Sequence, residues 1–223
     1  MLIAIDTSTE WIGLALYDGV QILSEQSWRS KNFHTAELAP SVATMLQRAN
    51  VHPKDVTGIG VALGPGSFTG MRIGVALAKG LALAFNVPLV GIPSLDILAH
   101  GQPLMRRPMI CLLKVGRGRF AWARYESIKG KWVRKTEISV DEPKAIAKTI
   151  TSPIFVCGEM GAEERQTLGR KWKTAKLAEA SQSVRRPAIL AELAGAKLKA
   201  GQREDIPSLS PIYVHTLSNI PEV

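Results

Sequence analysis

The sequence predicts an α/β protein of two related lobes, each with a mixed β-sheet covered by helices. Hydrophobic residues make up 46% of the 223 residues and charged residues 21%, which is ordinary globular usage and excludes disordered, collagenous and low-complexity classes. Hairpin strands at the start are followed by helices that alternate with strands, an order that favours a mixed sheet with helical cover. The second half repeats this order of elements. We therefore divide the chain into lobes 1–101 and 102–223.

The first lobe is predicted to open with three strands. Asp18 and Gly19 lie between two extended runs, and an Asp-Gly pair in that setting is a strong hairpin signal. Apolar residues at helical spacing then indicate an amphipathic helix. A strand, a glycine-rich turn, an apolar helix ended by Asn86 and Pro88, and a short strand follow. The predicted bounds are strands 2–6, 11–17, 20–28, 58–63 and 89–92 and helices 34–50 and 71–85.

The second lobe begins after a linker that contains Pro103, Arg106, Arg107 and Pro108. Three strands separated by glycine-containing turns are followed by a helix, a strand and a last helix. The predicted bounds are strands 109–115, 119–126, 131–138 and 154–157 and helices 143–150 and 187–200.

Membrane and secretory signals are absent from the pattern. No basic segment followed by an apolar stretch and a cleavage site stands at the N-terminus. The apolar run 71–85 contains Arg72 and Lys79 and is shorter than the roughly 20 residues that a membrane helix needs. Cys111 and Cys157 stand in apolar surroundings, which is typical of free, unreactive thiols. We expect a cytoplasmic chain that does not bind a membrane.

Charge is distributed unevenly between the two lobes. The formal net charge is +9, but residues 1–101 carry −1 and residues 102–223 carry +10, from 22 basic and 12 acidic side chains. Lys and Arg neutralise phosphates in most nucleic-acid complexes, so the second lobe is expected to meet an anionic partner. The alternative is a solvated basic surface without a partner.

The glycine-rich turn GPGSFTG at 64–70 is a candidate phosphate loop, because a strand-to-helix turn exposes backbone N–H groups beside a positive helix end. Its spacing fits neither common motif: five residues separate Gly64 from Gly70, no lysine follows, and Gly66 and Gly70 enclose three residues rather than two. The alternative is a tight turn in which Ser67 or Thr69 caps the next helix.

Polar residues directly follow the first strand. Asp6, Thr7 and Ser8 could place a carboxylate and hydroxyls where a nucleotide phosphate and its hydrated metal would lie. The alternative is an aspartate that stabilises the hairpin turn. The four histidines form no pair at metal-ligand spacing, so no metal site is expected. Ser67 lacks the Gly-x-Ser-x-Gly setting of a nucleophile.

The helix predicted at 71–85 is apolar nearly all round. Gly74, Ala78 and Ala82 recur at a spacing of four, so another helix could approach closely. A helix of this kind must be covered on nearly all faces. The cover could be its own sheet together with helix 34–50, or a partner protein.

Five segments resemble one known family, the bacterial tRNA threonylcarbamoyladenosine biosynthesis proteins TsaB (YeaZ). The resemblance is most specific at 64–74 and covers residues 1–100 best, with FAWARYE at 120–126 as a looser match beyond them. The matching segments are LIAIDTST at 2–9, His34-Thr35, GPGSFTGMRIG at 64–74, GLALAFNVPLVGIPSLDILA at 80–99 and PIYV at 211–214.

The resemblance implies an actin-like, Hsp70-like ATPase (ASKHA) fold that has lost most of its own catalysis. It also implies a scaffold for the paralogue TsaD, which transfers threonylcarbamoyl to the adenosine beside the tRNA anticodon, in an assembly with the ATPase TsaE and the tRNA. No intrinsic cofactor is implied, although ATP or ADP could bind at the junction with the partner. A homodimer of the isolated chain is compatible with the resemblance.

The resemblance also implies a set of interface residues, because the two helices of the first lobe would contact the partner's equivalent helices. The implied interface residues are Leu38, Val42, Met45, Arg72, Val75, Ala76, Ala78 and Lys79. The phosphate or nucleotide candidates are Asp6, Thr7, Ser8, Gly64, Gly66, Ser67, Thr69 and Gly70.

The chain departs from the family pattern at two places. Lys114, Val115 and Gly116 stand where many relatives have Asp-Ala-Arg, which removes a carboxylate and makes ATP hydrolysis by this chain less expected. His215 replaces the usual arginine after the PIYV segment.

Three other functions compete with the scaffold. The first is an autonomous actin-like kinase or ATPase that uses Asp6. The second is a metallopeptidase, suggested by the family's old glycoprotease label, which conflicts with the absence of paired histidines. The third is an independent RNA-binding module in the +10 lobe, which shows no RNA-recognition signature.

Overall fold

The computed structural model describes residues 1–31, 34–171 and 173–214 and contains two mixed sheets. The strands of the first sheet are β1 (Leu2–Asp6), β2 (Trp11–Tyr17), β3 (Ile22–Arg29), β4 (Gly58–Ala62) and β5 (Leu89–Ile92). They lie in the order β3-β2-β1-β4-β5. β1 pairs antiparallel with β2 and parallel with β4, which makes the sheet mixed as predicted. Every residue of β1, β4 and β5 is buried, because both faces of the sheet are covered.

Helices from both halves of the chain cover the first sheet. The helices are α1 (His34–Arg48), α2 (Phe68–Phe85), α3 (Ser94–His100), α4 (Pro143–Thr149), α5 (Ala162–Gly169) and α6 (Pro187–Lys199). α1 and α2 pack on one face, and α6 packs on the other with Ile97 of α3. A Cβ at Gly60 of β4 would come 2.6 Å from the Cβ of Ala194, so glycine there permits the close approach of α6. The end of the second lobe thus returns to the first sheet.

The second sheet follows the predicted order with additions. Its strands are β6 (Met109–Gly116), β7 (Arg119–Ile128), β8 (Lys131–Arg134), β9 (Ser139–Asp141), β10 (Ile154–Gly158) and β11 (Ala175–Leu177). The order is β11-β10-β6-β7-β8, with β9 also paired to β7. One face packs against α3 through Leu95 and Leu98, while the other carries Ile146 of α4 and Leu168 of α5. α3 therefore lies between the two sheets.

Most predicted elements are confirmed, and the differences have local causes. α2 begins at Phe68 rather than 71 because the Oγ of Ser67 accepts the N–H of Gly70 and caps the helix, as the alternative interpretation of the turn predicted. The strand predicted at 131–138 is too long: β8 covers only Lys131–Arg134, and beyond it the N–H of Arg124 donates to the Thr136 hydroxyl (3.0 Å) rather than to a strand carbonyl. The sequence interpretation missed α3, α5, β9 and β11.

One helix of the described chain, α2, is long and apolar enough to cross a membrane by length and composition alone. Its 18 residues exceed the fifteen of the helix predicted at 71–85. Val75, Ala78 and Ala82 are buried in the core between α1 and the first sheet, as expected for the core helix of a globular domain.

Candidate functional site

The glycine-rich turn packs directly on the end of β1, so the two groups of phosphate candidates meet. The N–H of Ser67 donates to the carbonyl oxygen of Ser8 (2.5 Å), and the Oγ1 of Thr7 donates to the carbonyl oxygen of Gly70 (2.7 Å). A Cβ at Gly66 would overlap the Ser8 carbonyl group, which explains why this position of the turn is a glycine.

The hydroxyl groups at the end of β1 already have partners within the chain. Thr7 and Ser8 are both buried. The Oγ of Ser8 lies 2.6 Å from the Oγ of Ser94, which in turn accepts the N–H of Gly64 (3.1 Å). Both hydroxyl groups are therefore engaged before any phosphate could approach. Thr69, in the first turn of α2, is exposed and away from these contacts.

Asp6 is held by an arginine from the far end of the chain. Its Oδ2 accepts the Nε of Arg185 at 2.7 Å, and its Oδ1 accepts the N–H of Ser8 at 2.9 Å. The side chains of Arg185 and Asp6 are only 2% and 5% exposed, so the ion pair is shielded from water. The carboxylate is therefore occupied by a fixed guanidinium cation.

Two further residues complete this cluster, which we call the Arg185 cluster: Asp6, Thr9, Glu159 and Arg185. The Nη1 of Arg185 donates to Oε1 of Glu159, its Nη2 donates to Oγ1 of Thr9 (3.1 Å), and the Thr9 hydroxyl lies 3.1 Å from Oε1 of Glu159. Asp6 ends β1 and Thr9 lies in the loop between β1 and β2, whereas Glu159 follows β10. The Arg185 cluster thus joins the two lobes.

The charges of the Arg185 cluster stabilise one another. Burial opposes the charged form of Arg185, but the carboxylates of Asp6 and Glu159 outweigh that cost and raise the pKa of the guanidinium above its ordinary value. Arg185 is thus a permanent cation at the position where the sequence predicted that Asp6 could meet a hydrated metal. The residues present do not fit a metal–nucleotide site there. Among the described residues, no three His, Cys, Asp or Glu side chains form a metal-binding group.

His34, one of the motif residues, also belongs to this region. It is buried at the start of α1, and its Nε2 donates to the carbonyl oxygen of Thr9 at 3.0 Å. Because a carbonyl can only accept, this contact requires the proton on Nε2. His34 therefore anchors α1 to the loop between β1 and β2.

Five of the eight implied interface residues are buried in the chain's own core between α1, α2 and the first sheet. These residues are Leu38, Val42, Met45, Val75 and Ala78. Of the five, Val42 alone also lines the groove described below. Helical spacing reveals an apolar stripe but not which face turns towards the chain's own sheet.

The other three interface candidates lie on the outer side of α2. Ala76 is exposed. Arg72 donates from Nε to the hydroxyl of Tyr213 (2.9 Å), and its guanidinium carbon lies 3.8 Å from the centre of the Phe68 ring. Lys79 donates to the carbonyl oxygen of Pro207 (2.8 Å). Both cations thus hold the segment 205–214 against α2.

An apolar groove of about 360 Å³ runs between α1 and α2 on the side away from the sheet. We call it the α1–α2 groove. Helical spacing alone does not reveal this groove. The groove is lined by Ala39, Val42, Ala43, Leu46, Gln47, Val51, Pro53, Leu77, Leu81 and Phe85.

The remaining candidates have structural surroundings. The Nζ of Lys114 lies 3.4 Å from a carboxylate oxygen of Glu164, so the residue that departs from the family pattern has an ion-pair partner. Cys111 and Cys157 are free thiols on neighbouring strands with sulfurs 3.5 Å apart. Burial, followed by the nearby Cys157, raises the pKa of Cys111, which keeps it protonated and unreactive. His215 lies outside the described residues.

The structure has the actin-like ATPase fold that was predicted. Each of its two mixed sheets is covered by helices, and the Arg185 cluster at the end of β1 joins the two lobes. A crystal structure titled YeaZ from Pseudomonas aeruginosa superposes with a TM-score of 0.75 at 24% identity, over 96% of this chain and 99% of that chain. The ROK hexokinase of Thermus thermophilus superposes with a TM-score of 0.50 at 10% identity, over 90% of this chain and 99% of that chain. Both comparisons concern the fold.

Sequence comparison identifies the family. The model described as TsaD, tRNA N6-adenosine threonylcarbamoyltransferase, matches residues 21–187. The protein named tRNA threonylcarbamoyladenosine biosynthesis protein TsaB is 40% identical over 98 residues in Bacillus subtilis, covering 44% of this chain and 43% of that protein. The TsaB of Escherichia coli is 28% identical over 148 residues, covering 65% and 64%. The chain belongs to this TsaD-related family and, within it, to the TsaB (YeaZ) proteins. The matches span about half the length of these curated relatives.

Proposed function

We propose that this chain is a non-catalytic subunit that activates a TsaD paralogue in the synthesis of N6-threonylcarbamoyladenosine beside the tRNA anticodon. The observation that carries the proposal is the contact between Arg185 and Asp6. An actin-like enzyme needs a free carboxylate at the end of the first strand for the hydrated metal of its nucleotide. Here the carboxylate is buried and paired with a guanidinium cation.

The neighbouring groups support the same conclusion. A phosphate at the glycine-rich turn would have to displace the contacts of Thr7 with Gly70 and of Ser8 with Ser94. Gly66 is already packed on the carbonyl of Ser8. The N–H groups of Gly64, Ser67 and Gly70 and the hydroxyl groups of Thr7 and Ser8 are satisfied within the chain, so these parts of the turn stabilise the lobe. We therefore propose no intrinsic cofactor, with ATP or ADP confined to the junction with the partner.

The α1–α2 groove supports the proposed association with TsaD. Its lining is almost wholly apolar, with Gln47 as its one polar side chain. Exposed apolar surface of this kind marks protein interaction sites. A partner helix of the same fold would place its side chains between α1 and α2. TsaE and the tRNA would join this assembly in the cytoplasm.

Reconstitution tests the proposal directly. Purified TsaD, TsaE, unmodified tRNA, ATP and the threonylcarbamoyl donor system are mixed with and without this chain, and the modified nucleoside is measured by mass spectrometry. We expect modification only when the chain is present. Equal modification without it would overturn the proposal.

A second measurement separates the scaffold from an enzyme. We expect the purified chain alone to release no phosphate from ATP. ATP turnover that is lost in Asp6→Ala would instead establish an autonomous actin-like kinase or ATPase.

A further inference from the structure

A basic groove lies at one edge of the second sheet, away from the Arg185 cluster. We call it the β11 groove, after the edge strand that forms one wall. Its volume is about 590 Å³. The other wall is the linker between α3 and β6, and the segment 179–182 closes one side. The lining residues are Pro103, Met105, Arg106, Arg107, Phe155, Lys176, Leu177, Glu179 and Gln182.

Main-chain and amide contacts hold the walls of the β11 groove in place. The N–H of Phe155 donates to the carbonyl oxygen of Pro108 (2.9 Å), which fixes the linker against β10. The Nε2 of Gln102 donates to the carbonyl oxygen of Gln182 (2.7 Å), which fixes the other end of the linker to the closing segment. The groove is therefore formed before any ligand arrives, which reduces the entropic cost of binding.

Three cations line the β11 groove without a carboxylate partner. Arg106, Arg107 and Lys176 are exposed. Across residues 1–31, 34–171 and 173–214, none of the three makes an ion pair. Glu179 is the one acidic residue of the lining, so the groove carries an excess of two positive charges. In contrast, Lys114 in the same lobe is paired with Glu164.

We infer that the β11 groove binds the phosphate backbone of RNA. The inference deepens the proposed function, on which it rests, by assigning the surface that contacts the tRNA. Two arginines and a lysine on facing walls can neutralise phosphates that pass between them, and such contacts carry affinity without reading sequence. The charge of +10 on residues 102–223 attracts the same polyanion over a longer range.

An anionic membrane surface fits this site less well. Peripheral membrane binding uses an amphipathic helix with exposed apolar residues beside its cations. The cations of the β11 groove instead come from a strand and a loop and face a concavity whose aromatic residue, Phe155, is only 4% exposed. A narrow chain of phosphates can enter such a concavity, whereas a flat lipid surface cannot.

The test measures binding of a fluorescent tRNA transcript to the full chain by anisotropy between 50 and roughly 300 mM salt. Arg106→Ala, Arg107→Ala and Lys176→Ala are combined in one variant. We expect its affinity at 50 mM salt to fall at least about tenfold. The slope of log K against log salt should decrease by about two to three, because each of these side chains would no longer neutralise a phosphate.

A matched variant at the opposite edge of the same sheet controls for net charge. Lys131, Arg134 and Lys135 are exposed on or beside β8, and their combined change to Ala also removes three positive charges. This variant should bind tRNA with an affinity within about twofold of the wild type. Charges at the opposite edge of the sheet are screened by salt and contribute little to binding in the groove. Circular dichroism melts confirm that both variants are folded, and Arg106→Glu with Arg107→Glu provides a second groove variant.

The outcomes are distinct. Wild-type affinity in the groove variants, equal losses at both edges, or no tRNA binding by the wild-type chain at 50 mM salt would overturn the inference. Groove-dependent binding to phosphatidylserine vesicles without binding to tRNA would overturn it in favour of a membrane. If reconstituted modification requires the chain and the groove variants retain full tRNA binding, the inference fails while the proposed function stands. If modification does not require the chain, the proposed function fails whatever the groove binds.

Discussion

The guanidinium of Arg185 lies 2.7 Å from the carboxylate of Asp6, although the two residues are 179 positions apart in the chain. The next residue, Arg186, pairs with Glu25 at the surface. Two consecutive arginines therefore make one buried and one exposed ion pair, and they allow a matched comparison.

Arg185→Ala is expected to destabilise the protein by about 3–5 kcal/mol, because it leaves Asp6 and Glu159 buried without their cation. Arg186→Ala should cost at most about 1 kcal/mol, as is usual for an exposed pair. Urea unfolding monitored by circular dichroism measures both. Equal losses in the two variants would show that the Arg185 cluster does not stabilise the contact between the lobes.

Gly66→Ala should destabilise the fold by about 1–3 kcal/mol, because the new methyl group would overlap the Ser8 carbonyl and main-chain atoms must move. Gly80→Ala is the control. A Cβ at this exposed position of α2 has nothing within 4 Å, so the helix should gain about 0.5–1 kcal/mol. The melting temperature should fall for Gly66→Ala and rise for Gly80→Ala. A change in the same direction for both variants would contradict the packing described for the turn.

Ala43→Glu is expected to abolish association with TsaD without changing the melting temperature. Ala43 lines the α1–α2 groove and is exposed, so the charge is solvated in the free chain and buried only in the complex. Val20→Glu, at an 85% exposed position in the first hairpin, is the control. Pull-down followed by size-exclusion chromatography measures association. Undiminished binding of Ala43→Glu would exclude the groove as the contact surface. Val75 is unsuitable for this test, since a charge in the core would unfold the chain.

The stability contributed by Glu25 should depend on pH. The hydrogen bond from Arg186, aided by the N–H of Ala188, lowers the pKa of Glu25 below its usual 4.5. A group whose pKa is lowered by folding stabilises the protein above the unfolded pKa and ceases to do so as pH falls through the folded value. Glu25→Gln should therefore cost up to about 1 kcal/mol at pH 7 and markedly less near pH 3. A cost independent of pH between these values would contradict the assigned ion pair.

Local signals in the sequence predicted much of the fold. Asp18 and Gly19 mark the first hairpin, and Asn86 ends α2 in the left-handed conformation with φ of 52°. Ser67 caps α2 as one interpretation of the turn required. Each signal depends on a few neighbouring residues whose conformational preferences do not need the rest of the chain. α5 gave no such signal, since Leu168 is its single buried residue.

The site depends on contacts that no local pattern contains. Thr7, Ser8 and the glycine-rich turn were predicted as candidates, and both residues contact the turn. Their use in binding a nucleotide could not be judged without Arg185, because nothing in the sequence Arg-Arg-Pro distinguishes the buried arginine from the exposed one. The outward face of α2 was equally hidden, since a helix that is apolar nearly all round gives no indication of which face meets its own sheet.

The return of α6 to the first sheet has a consequence for synthesis on the ribosome. Residues 1–101 leave the exit tunnel before α6. Gly60 of β4 is therefore not covered until Ala194 has also been synthesised. Until then one side of the nascent sheet, including Leu2 and Val90, is without its full cover and is open to chaperones or to aggregation. Maturation of the first lobe is therefore delayed until α6 (Pro187–Lys199) has left the ribosome.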